Sequence, residues 1–334
     1  MAQSSGKTFL GMKRPRKWIQ QQKPMTGVVL ALTPAALFGI YNFGWRVAAI
    51  LALSLLLGFA TEAMFTYRKG KPVTAAVFVT GMLYALVLPP SVPFWIAGVG
   101  IVFAVTFGKM VFGGFGFNAY NPAMVGRIFI YISFPIAMTA HWNAAADLFP
   151  RGLNNWLVDA MSGATPMIAA EAGNPAQLWQ VFFGFTGGSI GETSFLAVLI
   201  GGAYILWKKY ANLTTVIATT TFAVVPQTIF WLTGISQINP LYMMMTGGFA
   251  LGVLFMATDP VSSAKTDIGR WAYGAIIGIT TVVIRTFGNF AEGFMFGILM
   301  GNTFAPIIDY HVTEHRKAKK LREKAKAAAQ GVSA

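Results

Sequence analysis

The sequence predicts an all-α integral membrane protein of about ten transmembrane helices, arranged as two inverted halves of five spans. Three observations carry that prediction. The 334 residues are 55% hydrophobic and only 11% charged, where a soluble domain carries roughly 25% charged residues. Apolar runs recur at close to the length of about 20 residues that a helix needs to cross a hydrocarbon core. Nearly all Lys and Arg then fall on one side of the runs, as the positive-inside rule requires.

The elements follow in order. Residues 1–25 form a basic cytoplasmic arm; Pro24 and a full-length apolar run follow it with no small-residue cleavage pattern, so it does not read as a removable signal peptide. Candidate spans cover 26–41, 46–66, 73–90, 93–108 and 125–140, which make up a first half over 26–140. Residues 141–179 form the long polar loop, and a second half over 180–310 holds spans at 180–207, 212–233, 240–257, 271–288 and 293–310. With the N-terminus in the cytoplasm, every Lys and Arg lies inside except Arg46, Arg151 and Arg285, and Lys109 and Arg127 are counted among the inner loop charges. Both termini are then cytoplasmic and the 141–179 loop is extracytoplasmic. An odd number of spans per half makes the halves enter the membrane in opposite senses. The basic tail, 311–334, reads as a frayed amphipathic helix on the anionic inner surface or as disordered chain.

Composition also excludes chemistry. The formal charge of +14 sits at the ends and in short loops, not on a basic face with interleaved aromatics, so nucleic acid is not a partner. The chain has no cysteine, which removes Cys-ligated iron–sulfur clusters and disulfides from this subunit. His141, His311 and His315 have no metal-pair spacing. No Walker or dinucleotide glycine pattern follows a strand. Redox chemistry here would need an organic cofactor or a partner's metal, with nucleotide oxidation on a partner.

Ionisable groups within spans default to functional candidates: Glu62, Glu192, Asp259, Glu292, Asp309 and Arg285. For Glu62, Glu292 and Asp309 the competing reading is solvation near a span end. Three polar, glycine- or proline-rich breaks interrupt apolar sequence: Gly113 to Arg127 with Asn118 and Asn121-Pro122, Gly187 to Ser194 with Glu192, and Met256 to Lys265 with Asp259-Pro260. Irregular backbone at membrane depth persists only where protein buries it or a cavity adjoins it. Ordinary Asx-Pro turns are the plainer alternative. The spacings Gly248/Gly252, Gly274/Gly278 and Gly293/Gly297/Gly301 read as helix-packing faces. In the outer loop, Thr165 follows Ser162-Gly163-Ala164 and precedes Pro166. It reads either as a helix N-cap or as an open hydroxyl able to accept a bulky covalent group.

With these runs assembled, the chain resembles one family along nearly its whole length: the B subunit of the sodium-pumping NADH:quinone oxidoreductase (NQR) and its relative, the D subunit of the Rnf complex. The matching stretches are Val79 to Leu83, Lys109 to Gly114, Asn121-Pro122-Ala123, Ser162 to Thr165, Gly191 to Ser194, Phe255 to Val261 and Glu292 to Asp309. The resemblance leans to the Rnf branch: the arm is short, Met110 follows Lys109, and Ser133-Phe134-Pro135 looks like that branch. It implies a fold similar to urea transporters and an FMN held on Thr165 by a phosphoester bond. A flavin transferase working outside the cytoplasm would install it, reading a motif that includes Asp159, Ser162, Gly163 and Ala164. A second, noncovalent flavin, riboflavin, would lie near Asn118, Asn121 and Asp259, and coupled Na+ or H+ movement would use Glu192 and Asp259. The expected setting is a bacterial inner membrane, with partner subunits that include an FMN-bearing subunit and iron–sulfur subunits. A small-solute channel of the same architecture is the rival from another class; an outward Ser-Gly-Ala-Thr loop has no role there.

Overall fold

A computed structural model describes residues 8–9, 12–13, 18–140, 142–143, 151–157, 165–288, 290 and 292–331. Fourteen helices among these described residues occupy most of their length. Four of them are long and apolar enough to cross a membrane: α1 (Lys23–Phe43), α2 (Trp45–Tyr67), α10 (Leu213–Leu232) and α13 (Asp267–Gly288). The chain is a multi-pass membrane protein.

The other apolar runs are shorter or broken, and each break has a visible cause. The expected span over 73–90 is helical only as α3 (Ala76–Leu86), because Pro89 and Pro90 follow. α4 (Phe94–Val105) widens into a π-type turn at Thr106–Met110. The run 125–140 is divided at Phe134-Pro135 into α5 (Pro122–Ser133) and α6 (Pro135–Thr139). In the long polar loop α7 (Pro166–Glu171) is a single short helix. The run 180–207 becomes α8 (Leu178–Phe183), irregular chain and α9 (Phe195–Trp207). The run 240–257 becomes α11 (Pro240–Met245), α12 (Phe249–Leu251) and a second π-type turn, Gly252–Met256.

α14 (Gly293–Gly331) continues without interruption well beyond the last apolar run, so of the two readings of the tail the helical one describes it through Gly331. Its Ala, Lys, Arg and Glu content is strongly helix-forming, and Glu314 pairs with Lys317 one turn on, at 2.9 Å.

Packing relies on small residues where helices cross. A Cβ on Gly274 or Gly278 of α13 would press on the backbone of Thr219 or Ala223 of α10, each 2.7 Å away. A Cβ on Gly297 of α14 would press on the Ile277 carbonyl of α13, 2.8 Å away, and one on Gly301 on the Ile277 side chain at 2.7 Å. Gly248 departs from this pattern: its φ is +67°, and it faces the Glu192 carboxylate, not a helix.

Chain before the long polar loop and chain after it meet at broken segments. The amides of Ile190 and Gly191 donate to the carbonyls of Leu88 and Leu86, at 3.0 and 2.7 Å. Each break thus satisfies the other's backbone, the condition for irregular chain at membrane depth. The end of the molecule where α1 finishes also holds residues 151–157, whose Asn155 and Trp156 carbonyls accept from the Trp45 and Arg46 amides at 3.2 and 2.7 Å. Gly184 lies there too, its carbonyl accepting from Asn42 Nδ2 at 2.6 Å. At the opposite end, where α1 starts, the arm strand Ile19–Gln20 pairs in parallel with Val73–Thr74.

Candidate functional site

Among the described residues, three cavities run through the middle of the molecule. One, about 30 Å³ and called outer after the orientation expected from the charges, lies at the end where α1 finishes and is walled by Thr165, Trp142, Ser189, Glu192, Thr193 and Glu292 among others. A central one, about 20 Å³, shares Gly247, Glu192 and Glu292 with it and adds Arg127. The inner one, about 60 Å³, has Lys109, Asn118, Asn121 and Asp259 as polar lining, with Phe115 and Tyr210.

Thr165 caps α7: its Oγ1 accepts from the Ile168 amide at 3.4 Å. The cap reading and the acceptor reading are compatible, because an esterified oxygen keeps lone pairs for the amide. The loop is held down by Tyr242, whose hydroxyl donates to the Pro166 carbonyl at 3.2 Å and accepts from the Ala176 amide at 3.2 Å. In α7, burial raises the Glu171 carboxyl above the usual carboxylate range, and the charge of Arg285 pulls it partly back. Asp159, Ser162, Gly163 and Ala164 lie outside the described residues.

Below Thr165 the walls carry buried polar atoms without hydrogen-bond partners among the described residues: Trp142 Nε1, Ser189 Oγ and Thr193 Oγ1. Such orphans are rare, because each costs roughly 1–3 kcal/mol.

At the centre, Arg127 of α5 forms ion pairs with Glu192, at 3.3 Å, and with Glu292. Arg285 of α13 donates to the Gly247 and Met243 carbonyls at 2.5 and 3.4 Å, fixing the Gly247–Gly248 turn against Glu192. Two cations thus balance two carboxylates, as buried charge requires.

At the inner end, Glu62 and Lys109 form a buried ion pair at 2.6 Å, with side chains 1% and 2% exposed. Thr74 completes it: its amide and hydroxyl donate to Glu62 at 2.8 and 2.6 Å, and its oxygen accepts from Lys109 at 2.8 Å. The solvated reading of Glu62 is therefore wrong. Lys109 and Arg127 are likewise buried and paired, not inner loop charges. Glu292 is nearly buried in its pair with Arg127. Asp309 instead anchors the start of α13, accepting from the Lys265 and Thr266 amides at 2.6 and 3.0 Å.

The Asp259 carboxylate accepts from Val261 N at 3.4 Å and from Ser262 N and Oγ at 3.3 and 2.6 Å. This is the Asx turn that the plainer reading expected, and the residue still lines the inner cavity. Asn121 caps α5 through Ala123 N at 3.0 Å, and Asn118 donates to the Tyr120 carbonyl at 3.1 Å. The structure thus brings Asn118, Asn121 and Asp259 to one cavity. It does not bring Glu192 and Asp259 together: of the three cavities, the first lines the outer and central ones and the second the inner.

Sequence reasoning missed Asn302. Its side chain accepts from the Asn121 amide at 3.0 Å and donates to the Ser262 carbonyl at 3.1 Å, tying the two inner breaks. A polar amide in the apolar run after Gly301 was the available signal. For Arg127 the signal was its place inside the expected span 125–140.

The sequence profile described as the NQR2, RnfD, RnfE family matches residues 15–318. The chain is similar to the B subunit of the Na(+)-translocating NADH-quinone reductase of Azotobacter vinelandii, 38% identical over 89% of this chain and 74% of the relative. The protein of that name in Pseudomonas aeruginosa is 35% identical over 92% and 87%, and that in Chromohalobacter salexigens 34% over 93% and 86%. With a family match across nearly its full length and relatives above 30% identity, the chain belongs to the NQR2, RnfD, RnfE family.

Proposed function

We propose that this protein is a flavin-carrying electron-transfer subunit of an ion-translocating NADH- or ferredoxin-linked oxidoreductase, with FMN esterified to Thr165. The observation that carries the reading is the outer cavity: the Thr165 hydroxyl adjoins a chamber whose buried polar atoms lack partners among the described residues. The residues fit a flavin's polar portion. When bound, the flavin supplies one- and two-electron chemistry, and the protein supplies attachment, orientation and electrostatics.

The names of the relatives support the quinone-reducing branch; Met110 and the Ser133 to Pro135 run speak for the Rnf branch. In either case the subunit works only with partners that oxidise the electron donor. Ten spans in two inverted halves, urea-transporter-like, are supported by the paired π-type turns, Thr106–Met110 and Gly252–Met256, each followed by a polar break. The division into a cytoplasmic arm, two five-span halves, an outer flavin loop and a cytoplasmic basic tail, within a bacterial inner membrane, belongs to the same proposal.

The inner cavity suits a cation or the edge of a second flavin. Lys109, Asn118, Asn121 and Asp259 offer donors and acceptors to such an edge, but 60 Å³ leaves a whole ring outside. Glu192, in its separate position, is the candidate for ion movement at the centre.

The test is intact-mass analysis and in-gel fluorescence of the denatured chain. Wild type should carry one covalent FMN. Thr165→Ala should carry none while the helical bundle assembles, and Thr165→Ser should retain some. A fluorescent Thr165→Ala band would place the attachment elsewhere.

A further inference from the structure

Thr165 stands on a segment that the rest of the molecule grips at one polar atom. α7 buries Met167 and Ala170, an apolar contact and therefore a non-directional one. Among the described residues, the other hydrogen bonds of residues 165–176 stay within the segment: the Ala169 amide to the Thr165 carbonyl, Ala172 to Ile168, Gly173 to Ala170 and Asn174 to Ala169, and the Ile168 amide to the Thr165 hydroxyl. The exception is the Tyr242 hydroxyl. It donates to the Pro166 carbonyl and accepts from the Ala176 amide, each at 3.2 Å. A phenol can both donate and accept, and here each capacity holds one end of the segment. The tyrosine is itself fixed. Its amide donates to the Asn239 cap at 2.7 Å, and its carbonyl accepts from Thr246 Oγ1 at 2.8 Å. The carbonyl of the next residue, Met243, accepts from Arg285, and the chain beyond α11 reaches the Gly248 turn against Glu192.

We propose that Tyr242 is a positioning residue for the group carried on Thr165. Its two directional bonds set the rotation and register of α7 against α11, where apolar packing alone would let the helix turn or slide. The attachment point is thereby held in a fixed relation to the segment that rests on Arg285 and Glu192. The role rests on the flavin reading of Thr165, and its test separates the two.

Amide hydrogen exchange of α7 and anisotropy of the covalent flavin are compared in folded, detergent-solubilised wild type, Tyr242→Phe and Tyr242→para-aminophenylalanine. Phe keeps the ring and removes both hydrogen bonds; the amine restores the donor. Covalent flavin in the denaturing gel should be equal in all three, because Thr165 is untouched. Loss of both bonds should quicken exchange of the α7 amides about tenfold and lower the flavin anisotropy, and the amine should move both back toward wild type. Faster exchange with unchanged anisotropy would make Tyr242 a structural tether alone, and unchanged exchange would mean that the segment is held elsewhere; either overturns the positioning role. If Tyr242→Phe assembles poorly, Asn239→Ala removes the cap beneath Tyr242, keeps its hydroxyl, and should show the same two changes at smaller size; its failure to do so would count equally against the role. Absence of covalent flavin from the wild-type band would overturn the Thr165 reading, and the positioning role with it, before any comparison of variants.

Discussion

The buried pair of Glu62 and Lys109 allows a stability prediction with a worked magnitude. Both side chains are at most 2% exposed and meet at 2.6 Å. Deleting one partner leaves the other charged and buried, which costs about 3–5 kcal/mol in comparable pairs. Lys109→Met should therefore destabilise the folded protein by about that amount, as should Glu62→Gln at the lower end, since Gln remains able to accept from Thr74. Thr74→Val removes the two hydroxyl hydrogen bonds and no charge; it keeps the amide donor, so about 1–3 kcal/mol is expected. The double variant Glu62→Gln/Lys109→Met should be less damaged than the two single losses added, by about 1–3 kcal/mol. Unfolding in mixed micelles by SDS titration, followed by tryptophan fluorescence, measures all four. A Lys109→Met loss no larger than that of Thr74→Val, or additive singles, would refute the argument that charge compensation holds this end of α2 against the π-type turn.

Three further outcomes are expected. Asp259→Asn keeps an acceptor for the Asx turn, so the protein should assemble with its covalent flavin and show lower electron transfer, or altered Na+ dependence, per flavin; wild-type turnover with unchanged ion dependence would remove Asp259 from the working residues. A protease site inserted near Asn174 should be cut only from the extracytoplasmic side, and one after Lys326 only from the cytoplasm; both on one side would sink the span count. Because the Glu171 carboxyl is raised in the folded state, the native loop binds its proton first. Its stabilisation should be full below the unfolded value of about 4.3 and lost as pH rises through the folded value. Hydrogen exchange of α7 amides should quicken across that window, and Glu171→Gln should flatten the dependence.

Much of this molecule was legible in its sequence because a bilayer leaves few options. Apolar runs of membrane length marked α1, α2, α10 and α13, and glycine- and proline-rich interruptions marked the break at Gly187 to Ser194. What could not be read was the partner of each polar group. Lys109 looks like a loop charge because it follows an apolar run and precedes a glycine-rich one; only the fold shows Glu62, 47 positions earlier, beside it. Arg127 is similar: its two carboxylates come from the other half of the chain. Glu192 and Asp259 share a chemistry on paper, yet the first faces the centre and the second the inner cavity. Composition can count such groups but cannot pair them, since pairing is a property of nonlocal packing.

The break that carries Glu192 also limits how this protein can move charge. Its amides at Ile190 and Gly191 are bonded to Leu88 and Leu86, and a Cβ on Gly191 would lie 2.7 Å from that of Leu86, so the backbones are in close contact. Ser194 closes the segment as the cap of α9, accepting from Ala197 N at 3.2 Å. Displacing this strap would strand two buried backbone donors and two buried acceptors, at several kcal/mol. The backbone around Glu192 is therefore a fixed scaffold. Under the proposed function, charge passing between the outer and inner cavities would be handled by what remains free to change: the side chains of Arg127, Glu192 and Glu292 with the neighbouring Arg285, and whichever small cation or proton they exchange. A rigid scaffold carrying a balanced, side-chain-only charge cluster suits an electron-transfer subunit, in which cofactor distances must hold while local charge is compensated.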